Sequence, residues 1–196
     1  MLRAGVTLYF VRHGETDWNV AQRYQGRRDI PLNATGRTQA HRNGRTLATR
    51  LGAKAAALDY VWSPLLRASE TMEILRGEIG LPPTGYRTDE RLAEIDYGHW
   101  EGQLWKELPA IDPEGFTARM ADLWKWQPRG GESYRMLSER AGWLADVDRN
   151  AIAASHGGVS RVLRGLLLGL QPAEMLKLEV PQDKVLVVTN SGISWI

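Results

Sequence analysis

Five side chains spread along this sequence could together handle a phosphoryl group: Arg12, His13, Arg67, Glu94 and His156. Arg12 and His13 follow directly on the apolar run of residues 6–11, and Gly14 then lets the backbone turn close to a ligand. Arg67 lies in the first turn after a second short apolar run, and His156 follows the small-residue run of 151–155. The forked guanidinium of arginine meets phosphate oxygens bidentately, which a lysine cannot copy. A neutral imidazole can attack phosphorus, and a second, protonated imidazole can hold the oxygens as charge spreads over them. The leaving oxygen then needs a proton. Glu94 and Asp96 lie between and beside the apolar anchors Leu92 and Ile95, where a shielded carboxyl can stay protonated; Glu101 is a further candidate.

Each assignment has a plainer alternative. Arg67 could pair with Glu70 on a helix surface. Glu94 could be the ion-pair partner of an arginine. His41 falls on the exposed face of a helix, and His99 has no assigned role. No His-x-x-x-His pair or accompanying carboxylate cluster suggests a metal site, so none is expected.

These residues can meet only if strand ends bring them together. Residues 6–11, 59–63, 151–155 and 184–189 read as strands, with short extended pieces near 86–88 and 193–196. Between them lie helices. One is capped by Asn33 or Thr35, buries Ala40, Gly44, Leu47, Ala48 and Leu51, and ends at Gly52. A second follows Pro64, with Leu65, Ala68, Met72, Leu75 and Ile79 inward. Ser133 caps a third, which buries Tyr134, Leu137, Ala141 and Leu144; a fourth follows His156, with Val162, Leu163, Leu166, Leu167 and Leu170 inward. Alternating strands and helices predict an α/β fold with a mostly parallel sheet. Ligands of such sheets bind outside the carboxyl ends of the strands, where Arg12, His13, Arg67 and His156 fall. Helix N-termini beside Arg67 and Gly157 would add donors for an anion. Residues 103–130, helical in pattern but interrupted by Pro109 and Pro113, read as an inserted cap.

Composition narrows the rest. A chain of 196 residues suits one domain, spanning 1–196 with the cap inside it. A net charge of +2 does not suggest nucleic acid as a partner, while 25 basic residues permit a local anion pocket. The chain has no cysteine, which rules out disulfides and a thiolate nucleophile and fits a reducing, cytoplasmic setting. The apolar run after the N-terminus is too short for a signal peptide, and no stretch is long enough to span a membrane. Eight tryptophans are many; Trp105, Trp124 and Trp126 in the cap suit either an apolar or ring-bearing substrate or plain packing.

Read together, the motifs resemble the histidine phosphatase superfamily, in its phosphoglycerate-mutase-like branch. Those motifs are Arg12-His13-Gly14-Glu15-Thr16 with Asn19, Ser63-Pro64-Leu65-Leu66-Arg67-Ala68, Leu92-Ala93-Glu94 with Trp100-Glu101-Gly102, Gly130-Gly131-Glu132-Ser133, and Ser155-His156-Gly157-Gly158. The resemblance covers nearly the whole chain and implies a three-layer α/β/α sandwich of the phosphoglycerate mutase type. It implies that His13 is the phosphorylated nucleophile, that Arg12, Arg67 and His156 bind the phosphoryl group, and that Glu94 is the proton donor. Asn19, Gln25, Gly26, Tyr97 and Gly157 would lie on the substrate side. No metal or organic cofactor is implied for the phosphatase members. Trp105 stands near where the mutases' lysine would be expected, Arg119 and Arg129 are single rather than paired arginines, and Trp100-Glu101-Gly102 is similar to the phosphatase members; Tyr97-Gly98 is similar to the mutase loop. The resemblance therefore favours a phosphomonoesterase acting on a small phosphorylated metabolite. A cofactor-dependent phosphoglycerate mutase is the alternative, and a non-catalytic phosphate-binding regulator ranks last. Neither nucleic acid nor membrane is an expected partner; a homodimer is compatible with the sequence.

Overall fold

A computed structural model describes residues 2–196; Met1, part of the domain expected over 1–196, lies outside the described residues. Six strands form one sheet: β1 (Leu8–Arg12), β2 (Asp59–Trp62), β3 (Arg87–Thr88), β4 (Ala151–Ser155), β5 (Val185–Val188) and β6 (Ile193–Trp195). Their order is β3-β2-β4-β1-β5-β6. The pairs β3–β2, β2–β4 and β4–β1 are parallel, whereas β5 runs antiparallel to both neighbours. β1 begins later than its apolar run suggests, because Val6 closes a turn onto the Arg3 carbonyl at Gly5, whose φ is +81°.

Strand alternation sends side chains to two cores. Leu8, Phe10, Val61, Ala153 and Leu186 pack against α6 (Tyr134–Ala141) and α7 (Gly157–Leu168). On the other face Tyr9, Val11, Tyr60, Trp62 and Ile152 pack with Leu47 of α2 (Ala34–Leu51) and Met72 and Leu75 of α3 (Leu66–Ile79). The result is the expected α/β/α sandwich, and each buried aliphatic side chain in it contributes on the order of 1.5–3 kcal/mol. The caps form where the sequence places them: Asn33 accepts from Gly36 N and Ser133 from Met136 N. α3 has no side-chain cap of its own; Asp29 Oδ1 accepts Leu66 N–H at 2.9 Å from a distant loop. Leu166 departs from expectation. It is 44% exposed, because Val162, Leu163 and Leu167 already fill the inner face of α7 and the rotation of the helix turns Leu166 outward.

The sheet register sets the site. Arg12 pairs with Ser155, and Trp62 with Ala154. Beyond the strands, His13 N donates to Ser155 O (2.9 Å) and Ser63 N to Ala154 O (3.0 Å). His13, Ser63 and His156 therefore sit at one level, at the carboxyl ends of three adjacent parallel strands.

A four-residue helix, α1 (Asp17–Val20), follows the first of these ends and is capped by Thr16. Between β3 and β4, residues 103–130 fold as short helices, chiefly α4 (Leu108–Ile111) and α5 (Pro113–Ala121). Pro109 and Pro113 lie in the first turns of these helices, where a missing N–H costs nothing, so they start helical segments rather than break one. The last helix, α8 (Pro172–Met175), leads toward β5. No helix among the described residues is long and apolar enough to cross a membrane.

Candidate active site

His13 is 2% exposed. Its Nδ1 lies 2.7 Å from Gly14 O. A carbonyl only accepts, so Nδ1 carries the proton and the lone pair is left on Nε2. Arg67 Nε–H donates toward that Nε2 at 3.3 Å. Burial, then the charges of Arg67 and Arg12, hold the His13 pKa well below the ordinary histidine value, so the ring is neutral at pH 7. The turn that presents it is tight: a β-carbon on Gly14 would lie 2.2 Å from Gly36 O.

Arg67, fully buried, does not pair with Glu70; that carboxylate is taken by Arg37. Its Nη1 and Nη2 donate to Arg28 O and Gly26 O, both at 2.8 Å. Arg12 Nη1 donates to Val180 O at 2.5 Å, while its buried Nε has no partner among the described residues. Burial lowers the pKa of both arginines to about 10, so both remain charged at neutral pH.

His156 packs beside the nucleophile candidate, with ring centroids 5.1 Å apart. It is buried behind the cleft rather than lining it. Its Nε2 meets Ser63 Oγ at 2.6 Å, and its buried Nδ1 has no partner among the described residues. Burial, then Arg67 and His13, push its pKa well below the ordinary value. It is thus neutral until an anion arrives to favour its proton.

The three acidic candidates separate clearly. Glu94 lines the same cleft as His13, Arg12 and Arg67. Its Oε1 accepts Ile95 N–H (2.9 Å) and Gly158 N–H (3.1 Å). Asp96 accepts Gly98 N–H and faces Arg27, and Glu101 holds Arg27 N–H and the Arg28 guanidinium; neither lines the cleft. The Glu94 loop is tied down by Arg140 of α6. Arg140 donates to the carbonyls of Arg91 (2.8 Å) and Glu94 (2.9 Å) and forks onto both oxygens of Glu132. Glu132 in turn accepts Asp96 N–H at 3.1 Å. The Gly130-Gly131-Glu132-Ser133 stretch is therefore a brace for the acid loop.

Asn19, Gln25, Gly26, Tyr97 and Gly157 all line the cleft, a volume of about 180 Å³. Several residues there are not assigned to the site by the sequence: Arg23, Tyr24 and Arg161, Tyr134, which reads only as core, and Gly158, which reads only as part of the His156 motif. Apart from Gly158, which is itself in a motif, each lies within five residues of a motif residue, and that proximity was the available signal. Gln182 carried none. Its Nε2 donates to His13 O (3.1 Å) and Asn19 Oδ1 (3.2 Å) from an irregular segment before β5. The cap tryptophans do not line the cleft. Trp126 stacks near Trp100 at 4.2 Å, Trp105 packs on Phe116, and Trp124 joins the main core. His99 likewise fixes the cap, with Nε2 2.9 Å from Asp112 Oδ2. His41 is exposed and bonds Glu78. A larger cavity, about 510 Å³, opens at the opposite ends of β1, β2 and β4 but contains no histidine. No group of three or more His, Asp or Glu side chains among the described residues is arranged to hold a metal.

Known proteins resemble the chain over most of its length. The profile of the histidine phosphatase superfamily (branch 1) matches residues 8–195. The chain is 33% identical over 176 residues to a glucosyl-3-phosphoglycerate phosphatase of Mycolicibacterium vanbaalenii, covering 83% of this chain and 74% of the relative. It is 32% identical over 176 residues to phosphoserine phosphatase 1 of Hydrogenobacter thermophilus, covering 84% and 77%. A solved mycobacterial glucosyl-3-phosphoglycerate phosphatase in complex with VO3 superposes with a TM-score of 0.77 at 31% identity, over 98% of this chain and 96% of that one.

Proposed function

The chain belongs to the histidine phosphatase superfamily, branch 1, and from that premise we propose that it is a phosphomonoesterase hydrolysing a small phosphorylated metabolite through a phosphohistidine on His13. The observation that carries this reading is the tautomer of His13. With Nδ1–H given to Gly14 O, the Nε2 lone pair is presented in a cleft walled by Arg12 and Arg67.

The chemistry runs in two displacements. In the first, His13 Nε2 attacks phosphorus, the bond to the ester oxygen breaks, and that oxygen takes a proton from the Glu94 carboxyl. In the second, water attacks the phosphohistidine, gives its proton to Glu94, and the P–N bond breaks to return neutral His13 and free phosphate. Through both steps the phosphoryl oxygens lie against cations fixed beforehand, which is the largest contribution such a site can make. Arg12 Nε, a buried donor at the cleft without a protein partner, suits those oxygens; the unpartnered Nδ1 of His156, behind the cleft, would donate toward them once that ring is protonated. As charge builds on the phosphoryl group, His156 takes up its proton more readily.

The names of the relatives support hydrolysis over isomerisation, and the cysteine-free chain fits a reducing, cytoplasmic setting. Phosphate release from p-nitrophenyl phosphate and a panel of phosphorylated metabolites, run with EDTA, tests the reading. Hydrolysis is expected to persist in EDTA and to outpace any interconversion of 2- and 3-phosphoglycerate primed with 2,3-bisphosphoglycerate. Faster interconversion would identify a mutase instead.

A further inference from the structure

A neutral imidazole donates from one ring nitrogen and accepts at the other. At His156 one contact decides which is which. Nε2 lies 2.6 Å from Ser63 Oγ, and Nδ1 has no partner among the described residues. Both residues are fully buried.

Sheet register makes this contact. Trp62 of β2 pairs with Ala154 of β4, and Ser63 N donates to Ala154 O at 3.0 Å. Ser63 is thereby held one residue beyond β2, beside the end of β4 from which His156 emerges. The next residue, Pro64, has no N–H. The first free amide past the strand is that of Leu65, and it donates to Ser63 Oγ at 3.3 Å. An amide can only donate, so this bond occupies a lone pair of the hydroxyl.

Two arrangements of hydrogen remain for the neutral ring. With the imidazole proton on Nε2, Ser63 Oγ would have to accept it as well. The hydroxyl hydrogen would then have no acceptor among the described residues, and the Nδ1 lone pair would be buried without a donor. With the hydroxyl hydrogen aimed at Nε2, every polar group of the Ser63 side chain is satisfied. The single unpartnered group is then Nδ1–H. One unmet donor costs less than an unmet donor together with an unmet acceptor. A buried donor without a partner is also the group that an anion completes.

We propose that Ser63 is a positioning residue that holds neutral His156 with its proton on Nδ1, so that this histidine already donates to a phosphoryl oxygen before it gains charge. Protonation during the reaction keeps Nδ1–H in place and adds a positive charge to it. The two histidines thus share one tautomer through opposite contacts: His13 Nδ1–H is given to Gly14 O, whereas His156 Nε2 accepts from Ser63. The effect on turnover rests on the phosphomonoesterase reading; the tautomer is a property of the protein without substrate.

Long-range proton–nitrogen NMR of the full chain at pH 7, without ligand, reads which ring nitrogen of each histidine bears hydrogen. The His156 signals are identified by elimination, from the signals lost in His13→Ala, His41→Asn and His99→Asn. The expected result is hydrogen on Nδ1 and a bare Nε2. Hydrogen on Nε2, alone or together with Nδ1, overturns the proposal. Ser63→Ala should release the ring into a mixture of tautomers and lower kcat/KM for p-nitrophenyl phosphate roughly tenfold, the scale of one hydrogen bond to a charged group. Ser63→Thr, which keeps the hydroxyl, should keep the tautomer and more of the activity. A folded Ser63→Ala chain with an unchanged tautomer overturns the proposal, as does full kcat/KM in one whose tautomer has changed. Should Ser63→Ala fail to fold, Ser63→Cys, with a weaker donor in the same place, reads the same change. A wild-type chain that hydrolyses no ester removes the phosphatase reading, and the NMR spectrum still decides the tautomer.

Discussion

Arg67 Nε lies 3.3 Å from His13 Nε2, so the atom proposed to attack phosphorus is itself the acceptor of a guanidinium hydrogen bond. The other two nitrogens of the same group hold Gly26 O and Arg28 O. One side chain thereby positions the nucleophile, shapes the substrate-side loop and, after burial, adds the next largest push that keeps the nucleophile's imidazole neutral. Lysine keeps the charge but cannot span three acceptors. Arg67→Lys is expected to lower kcat/KM roughly 10²- to 10³-fold, the range for removing a preorganised donor. Steady-state kinetics beside a urea denaturation curve separates that loss from unfolding.

Gly158 is where the acid can be displaced without touching it chemically. A β-carbon there would lie 2.4 Å from Glu94 Oε1. Alanine is the better helix former, so Gly158→Ala keeps α7 intact while pushing the carboxyl out of place. Loss of a general acid hurts most where the leaving group is basic. The expected result is a much larger fall in kcat for an alkyl phosphate such as glycerol 3-phosphate than for p-nitrophenyl phosphate. Equal falls for both would remove Glu94 from the proton-donor role.

Arg140 and Glu132 brace the acid loop from outside the cleft. Burial pushes the Glu132 carboxyl up, but the Arg140 fork outweighs it and holds the group below the usual carboxylate value. For such a depressed carboxyl the stabilisation is present at neutral pH and is lost as pH falls below the ordinary value of about 4.3. Arg140→Ala leaves Glu132 short of its main partner and frees the carbonyls of Arg91 and Glu94. It should cost about 3 kcal/mol in urea denaturation at pH 7. It should also lower kcat more than it raises KM, with partial recovery in Arg140→Lys.

The two buried histidines predict an acid-sensitive fold. Their folded pKa values lie well below the ordinary value of about 6.5, so below that pH the unfolded chain takes up protons that the folded chain refuses. Stability should be flat above pH 7 and fall as pH drops below about 6.5, by up to roughly 1.4 kcal/mol per pH unit for each histidine. Urea denaturation between pH 5 and pH 8 reads this directly. His156→Asn should reduce the slope; an unchanged slope would mean that this imidazole is not held neutral.

Much of the site could be read from the sequence because strand ends are local signals. Residues 151–155 form β4 with the bounds their small-residue run suggests, and Arg12-His13 sits where a buried strand gives way to Gly14. Parallel neighbours then bring such ends together. What stayed hidden depends on contacts between distant parts of the chain. Glu94 could not be told from Asp96 and Glu101 by sequence, because Arg27, Arg28 and Arg140 make the distinction. Gln182 reaches His13 across 169 positions. The apolar run at the end of α7 hid which leucine faces out, since every candidate there is equally hydrophobic.

The central claim is covalent chemistry at His13. Its most direct test is rapid mixing of the protein with a phosphate-labelled monoester, followed by denaturing quench and peptide mapping. The expected result is label on His13, stable in base and lost in acid, and its absence in His13→Ala together with loss of hydrolysis. Full hydrolysis by His13→Ala, or label on another side chain, would contradict the account.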